Sequence, residues 1–141
     1  MLKGINPKVS ADLLGILASM GHGDELVICD RNFPGASNAT RVVNYRATDV
    51  ATVLSLVLEL YPVDTFVEEP LVRMQVVGDP HQVTEGQKKI HALAQKLEGR
   101  QFSMGSIPRE AFYERARKAY ATIITSDDQP YQCFVLVKGV L

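Results

Sequence analysis

Apolar residues in this chain follow two different patterns. Intervals of three and four residues predict amphipathic helices at 11–20, 48–60 and 84–98, and Pro108 is well placed as the first residue of a fourth helix that begins at Arg109. Apolar runs between these helices predict strands at 26–30, 41–45, 65–68, 71–77 and 101–106. The last two runs, 121–125 and 131–138, flank an Asp-Asp-Gln-Pro turn and predict a hairpin.

This alternation predicts an α/β protein in which a mixed sheet is covered by helices on both faces. The length favours a single domain over residues 1–141. With 46% hydrophobic and 22% charged residues, the chain can bury a core without cross-links. Fifteen basic and sixteen acidic residues leave a net charge of −1 with no basic cluster, which argues against a nucleic-acid partner.

Two further features bear on the cellular location. No stretch approaches the roughly 18 apolar residues that a membrane span needs, and the first seven residues contain no apolar signal core, so we expect no membrane association. Cys29 and Cys133 lie in apolar, strand-like surroundings without the spacing of a redox or metal motif. We therefore expect reduced cysteines and a cytoplasmic protein.

The first candidate for chemistry is a histidine between two glycines, Gly21-His22-Gly23. Glycine on both sides lets the imidazole stand clear of the backbone, where a ligand can reach it. The alternative is that Gly21 only ends a helix and His22 is an incidental loop residue. Asp30 follows a predicted buried strand, and open α/β sheets bind ligands at the carboxyl ends of their strands. We expect these two side chains at one edge of the sheet.

The remaining candidates suit a polyhydroxylated ligand and proton transfer. Arg109 can donate paired hydrogen bonds, although an arginine at a helix start is often only a solvated charge. The ring of Tyr131 can stack on a ligand or simply pack at a turn. The three histidines and two cysteines show no metal-ligand spacing, so we expect neither a metal nor an organic cofactor.

Four separated motifs resemble the RbsD/FucU family of bacterial L-fucose mutarotases and D-ribose pyranases. They are Met-Gly-His-Gly-Asp-Glu at 20–25, Asp30 with Asn-Phe-Pro at 32–34, Phe-Tyr-Glu-Arg-Ala at 112–116, and Tyr131 with the terminal Lys-Gly-Val at 138–140. The 112–116 motif and the arginine at 109 resemble the fucose branch. The resemblance implies an RbsD-like three-layer α/β/α fold and interconversion of the α and β anomers of L-fucose or a related monosaccharide, with ribose pyranase activity as a related possibility.

The same resemblance assigns roles to residues. It implies that His22 is the proton donor and that Asp30, Arg109 and the segment Tyr131-Gln132-Cys133 bind the sugar. It also implies a ring-like homo-oligomer, a decamer. The sequence leaves open whether Asp30 holds sugar hydroxyls or orients the imidazole.

One position departs from the family pattern, which is Tyr-x-Asn in the last of these segments. This chain has Cys133, and a thiol cannot replace the paired donor and acceptor of an amide. Either the family contact there is a backbone one, or the preferred sugar differs from L-fucose. A non-catalytic sugar-binding ring that senses or helps to transport a monosaccharide is the alternative function.

Overall fold

The computed structural model describes residues 1–141 as four helices and six strands. The helices are α1 (Ala11–Ser19), α2 (Val50–Leu58), α3 (Glu85–Glu98) and α4 (Arg109–Lys118), and the strands are β1 (Glu25–Cys29), β2 (Val42–Tyr45), β3 (Leu71–Met74), β4 (Met104–Ile107), β5 (Ala121–Thr125) and β6 (Phe134–Val137). None of the helices is both long and apolar enough to cross a lipid bilayer.

Capping side chains in the sequence determine where the helices begin. The side chains of Ser10 and Asp49 accept hydrogen bonds from backbone N–H groups in the first turns of α1 and α2. Thr84 and Gln87 form a reciprocal capping box at α3. That helix ends at Gly99, which adopts a left-handed conformation with φ of 77°. All three predicted helices are therefore confirmed to within about two residues, and α4 begins where Pro108 predicts.

The six strands form one mixed sheet in the order β2-β5-β1-β6-β3-β4. Strands β1 and β2 run parallel to β5, and β3 runs parallel to β4. Strand β6 is antiparallel to both of its neighbours, β1 and β3. Five strands consequently share one direction, and their carboxyl ends meet at the edge of the sheet where β6 begins.

Helices cover both faces, as the sequence predicts. Helices α1, α2 and α3 pack on one face in a core of 19 buried residues. Helix α4 and the loop that carries Phe33 cover the other face in a core of 11. Strands β3, β5 and β6 are buried at every position, which is why their sequences are mainly apolar rather than alternating, although β3 also buries Arg73 and β5 buries two threonines.

Two predictions about the strands are wrong. The segments 121–125 and 131–138 do not pair as a hairpin, because β1 lies between β5 and β6 in the sheet. Residues 65–68 form a bend instead of a strand. There the carboxylate of Asp64 accepts hydrogen bonds from the N–H groups of Phe66 and Val67, at 3.1 and 2.9 Å. These two N–H groups therefore do not donate to a neighbouring strand.

The close approach of the C-terminal segment to residues 63–64 gives a first prediction. A Cβ on Gly139 would lie 2.8 Å from the Cα of Asp64 and from the carbonyl oxygen of Val63. Gly139→Ala should lower the free energy of unfolding by about 1–3 kcal/mol, because backbone must shift to admit the methyl group. Urea denaturation at matched protomer concentration measures the change.

The control for this variant is Gly15→Ala in α1, where no atom lies within 4 Å of an added Cβ. Alanine favours the helix at that position, so stability should hold or rise by up to about 1 kcal/mol. Equal destabilisation by the two substitutions would contradict the packing described here.

Candidate active site

A cleft of about 270 Å³ opens at the carboxyl edge of the sheet. Its walls combine carboxylate, amide and phenol groups with apolar side chains, namely Asp30, Asn32, Phe33, Met74, Tyr113, Pro130, Tyr131 and Cys133. We call these eight residues the cleft. Its volume lies at the small end of ligand sites, and its position is the usual one for ligand binding in an open α/β sheet.

Asp30 holds the two sides of the cleft together. It follows β1 directly, is 4% exposed, and uses both carboxylate oxygens within the protein. Oδ1 accepts the N–H groups of Asn32 and Phe33 at 2.9 and 3.0 Å. Oδ2 accepts the N–H of Gln132 at 3.1 Å and the thiol of Cys133 at 3.4 Å. The carboxylate thus joins the loop after β1 to the segment before β6.

The thiol of Cys133 is a hydrogen-bond donor in this arrangement. Burial, together with the neighbouring carboxylate of Asp30, raises the pKa of the Cys133 thiol well above its ordinary value. The thiol therefore stays protonated at neutral pH and is a poor nucleophile. Both Cys133 and Cys29 are free and buried, as the sequence predicts.

Tyr131 sits in a strained conformation at the mouth of the cleft. It is the only residue other than glycine with positive φ, at 59°. Its carbonyl oxygen accepts a hydrogen bond from Nε2 of Gln87 at 2.9 Å, and its phenol oxygen accepts the N–H of Val77 at 3.2 Å. Strain of this kind persists only where surrounding contacts hold it, and it concentrates at functional sites. Gln132, by contrast, is 2% exposed and lies behind the cleft wall.

Arg109 lies in a second pocket at the same edge, of about 230 Å³. This pocket includes Val77, whose N–H contacts the phenol of Tyr131, so the two cavities are neighbours. The guanidinium group is half exposed and contacts only the carboxylate of Glu110, at 3.2 Å. Four of the predicted sugar-binding positions, Asp30, Arg109, Tyr131 and Cys133, are therefore gathered at one edge of the sheet.

His22 is not at that edge, and the prediction that it shares one edge of the sheet with Asp30 is wrong. His22 precedes β1 and Asp30 follows it, so the two residues stand at opposite ends of the strand. The five residues of β1 alone separate them by roughly 16 Å at about 3.3 Å per residue. Within one subunit the imidazole therefore cannot reach a ligand held in the cleft.

The partner of the imidazole is Asp64, a residue that the sequence analysis did not identify. Nε2 of His22 lies 2.8 Å from Oδ1 of Asp64, whose side chain is 1% exposed. Burial would raise the pKa of Asp64, but hydrogen bonds from Val67, His22 and Phe66 outweigh it and hold this pKa below its ordinary value. Asp64 is then ionised and accepts only, so Nε2 carries a proton and Nδ1 is left for a ligand.

Asp64 could have been found by its position in the sequence. The side chain of an aspartate commonly accepts hydrogen bonds from the backbone N–H groups two and three residues later, and this pattern predicts a turn. The apolar residues that follow Asp64 made the segment resemble a strand instead. One of them, Phe66, is 72% exposed and packs edge-on against the imidazole with ring centroids 4.5 Å apart. With the adjacent Val67, which is 45% exposed, Phe66 forms an apolar surface beside this histidine.

The structure contains no group of three or more histidine, cysteine, aspartate or glutamate side chains that could hold a metal ion. The absence of a cofactor stays a prediction for experiment. The fold and the cleft together are typical of α/β proteins that bind a small ligand at the carboxyl edge of the sheet.

Comparison with known proteins gives the family. The model of the RbsD / FucU transport protein family matches residues 3–141, and the chain belongs to this family. An L-fucose mutarotase of Glaesserella parasuis is 40% identical over 141 residues, which cover 99% of this chain and 96% of that protein. The fucose mutarotase of Bos taurus is 36% identical, with 100% and 95% covered.

A solved structure supports the same assignment. The fucose mutarotase of Streptococcus pneumoniae, solved in complex with L-fucose, superposes with a TM-score of 0.87 at 34% identity and covers 99% of both chains. The fold predicted from the resemblance is therefore confirmed.

The four hydrogen bonds of Asp30 give a second prediction. An asparagine offers one oxygen instead of two, so Asp30→Asn turns an NH₂ group toward donors that the carboxylate now satisfies. We expect the free energy of unfolding to fall by about 1–3 kcal/mol and the cleft to lose its ligand affinity. Denaturation and calorimetric titration with monosaccharides measure the two effects.

Asp128→Asn is the matched control, since Asp128 is exposed and lies in the segment before β6, the segment whose residues 132 and 133 donate to Asp30. It should change neither quantity. If Asp30→Asn were as stable and bound sugar as well as this control, Asp30 would not organise the cleft.

Proposed function

We propose that the protein is a mutarotase that interconverts the α and β anomers of L-fucose or a closely related monosaccharide. Family membership and the mutarotase relatives support this reading, and the cleft supplies the ligand chemistry. Its polar groups, Asn32, Tyr113 and Tyr131, suit sugar hydroxyls. Its apolar walls at Phe33 and Met74 suit a face without hydroxyls, such as the methyl end of a 6-deoxyhexose.

The reaction needs proton transfer alone. Opening the sugar ring requires a proton at the ring oxygen while the anomeric hydroxyl loses one, and closure on the other face of the aldehyde reverses both steps. An imidazole can donate and accept at neutral pH, and such help contributes about 10²–10⁴ in rate. Because Nε2 of His22 is bound to Asp64, the proton moves through Nδ1.

The separation of His22 from the cleft bears on how the subunits assemble. If both serve one sugar, the His22 end of one subunit must meet the cleft of the next. Such a head-to-tail contact uses two different surfaces, and repeated contacts of this kind form a ring when the rotation between neighbouring subunits closes. The site is then shared between subunits, in agreement with the ring-like homo-oligomer, a decamer, that the sequence resemblance implies.

Exposed apolar residues support this contact at both ends of the subunit. Phe66, Val67 and Val140 are 72%, 45% and 56% exposed, and the chain turn at Gly139 brings the last of them close to Asp64 beside the imidazole. At the opposite end Val77 is 59% exposed between the cleft and the Arg109 pocket. A second copy of this chain would remove both sets from water.

The same separation gives weight to the alternative function. A single subunit holds a cleft without the imidazole among its lining residues. A protein that binds monosaccharides without catalysis remains the second candidate. The free cysteines suit a reducing compartment, which supports the cytoplasmic location as part of the proposal.

The third prediction tests catalysis. His22→Ala should lower the rate of anomer exchange by about 10²–10⁴ and leave much of the sugar affinity, because the imidazole acts mainly on the transition state. Exchange NMR on L-fucose, D-ribose and related sugars measures the rate, and titration measures the affinity. Exhaustive chelation is the control for a metal contribution, and full activity is expected after it.

Two outcomes of this assay count against the mechanism. Near-normal exchange in the variant would remove His22 from the reaction. Sugar binding by the native protein without faster exchange would favour the non-catalytic alternative.

The fourth prediction tests the shared site. His22→Ala and Tyr131→Ala subunits, each inactive alone, should recover activity when they are dissociated, mixed in equal amounts and reassembled. Random assortment in a head-to-tail ring pairs an intact His22 with an intact neighbouring cleft at about one site in four, so about a quarter of native activity is expected. No recovery beyond the two parent proteins would mean that each site lies within one subunit.

A further inference from the structure

The turn that carries His22 is held by a residue from the far end of the chain. Lys138 follows β6 and contacts this region through three groups. Its Nζ donates to the carbonyl oxygens of Leu17 and Met20, at 2.9 and 2.5 Å. Its carbonyl oxygen accepts the N–H of Gly23 at 2.8 Å, and its own N–H donates to the carbonyl of Asp24 at 2.9 Å.

The ammonium group takes the place of a helix cap. The last carbonyl groups of a helix lack partners within the helix, and they carry partial negative charge. Helix α1 has no basic residue in its own last turn. Lys138 supplies that charge and forms no salt bridge with a carboxylate, so its hydrogen bonds are directed at the end of α1. Met20, one of its two acceptors, is two residues before His22.

The turn at residues 21–24 is held by hydrogen bonds of its own. The N–H of Asp24 donates to the carbonyl of Gly21 at 3.1 Å, and Gly23 has φ of 83°, as a type II turn requires at that position. The side chain of Asp24 accepts the N–H of Gly21 at 2.7 Å. These bonds fix the shape of the turn, whereas Lys138 fixes its position. The ammonium group of Lys138 binds the chain before His22, and its backbone binds the chain after it.

We propose that Lys138 is a positioning residue for the imidazole of His22. The proposal rests on the proposed function, in which that imidazole moves the proton. Without the ammonium group, the end of α1 and the following turn gain freedom, and the imidazole loses its fixed distance from a sugar in the neighbouring cleft. A displacement of about 1 Å can cost about 10²-fold in rate without a matching loss of binding.

The test compares three variants of the full-length protein. Lys138→Met keeps the length of the side chain and removes the charge and the donors. Lys138→Arg keeps both, and Lys118→Met removes a lysine that is 76% exposed and paired only with Glu114. The kcat and KM for anomer exchange are measured by NMR, and hydrogen–deuterium exchange of peptides spanning 20–24 is followed by mass spectrometry.

We expect Lys138→Met to lower kcat by about 10- to 100-fold, to change KM by less than about twofold, and to speed amide exchange in 20–24 by at least about tenfold. Lys138→Arg should recover a large part of both quantities, and Lys118→Met should match the native protein. If Lys138→Met does not assemble, Lys138→Gln takes its place with the same expected values.

Normal kcat with unchanged amide exchange in the charge-free variant would overturn the proposal, as would a loss that appears only in KM. An equal loss of kcat in Lys138→Arg would also overturn it. A native protein without anomer exchange would refute the proposed function instead, and in that case faster amide exchange in 20–24 alone would still support, or its absence refute, the role of Lys138 in holding the turn.

Discussion

The rest of the structure depends on strand β1, which keeps His22 and Asp30 apart. The chain enters this strand from the turn that carries His22 and leaves it at Asp30, and the strand is buried and hydrogen-bonded on both sides. A strand in the middle of a sheet cannot bend to bring its ends together, because each residue is fixed by the ladders to β5 and β6. One subunit thus carries an imidazole at one end and the cleft at the other, and the shared site that we propose therefore requires assembly.

Strand β6 is the element that connects these two ends. It begins at the segment that contacts Asp30, runs antiparallel between β1 and β3, and finishes at Lys138 beside the turn of His22. The cleft wall and the support of the imidazole are therefore parts of one short stretch of chain. This arrangement explains why two of the four family motifs, those at the beginning and at the end of the sequence, lie together in space.

Much of the fold could be predicted from the sequence because its signals are local. Helical spacing, capping side chains and the glycine at 99 define the helices, and continuous apolar runs define the strands covered on both faces. The pairing of strands is not local. A turn between β5 and β6 suggests a hairpin, and nothing in those residues reveals that β1 enters between them.

The site was predicted in part for the same reason. The sequence identifies Asp30, Arg109 and the segment from Tyr131 as candidates, and the structure gathers them at one edge, although their roles in sugar binding stay predictions. Asp64 was missed because its contact with His22 spans 42 positions and its neighbours resemble a strand. The expectation that His22 and Asp30 share an edge was wrong because it ignored the direction of the strand that joins them.

A structure of the assembled protein with bound L-fucose tests the central claim most directly. We predict electron density for the sugar in the cleft between Asp30 and Tyr131, with Nδ1 of His22 of a neighbouring subunit within hydrogen-bond distance of the ring oxygen or the anomeric hydroxyl. A sugar bound in the cleft with every histidine of the neighbouring subunits out of reach, or a sugar bound beside His22 and Asp64 far from any cleft, would contradict this account.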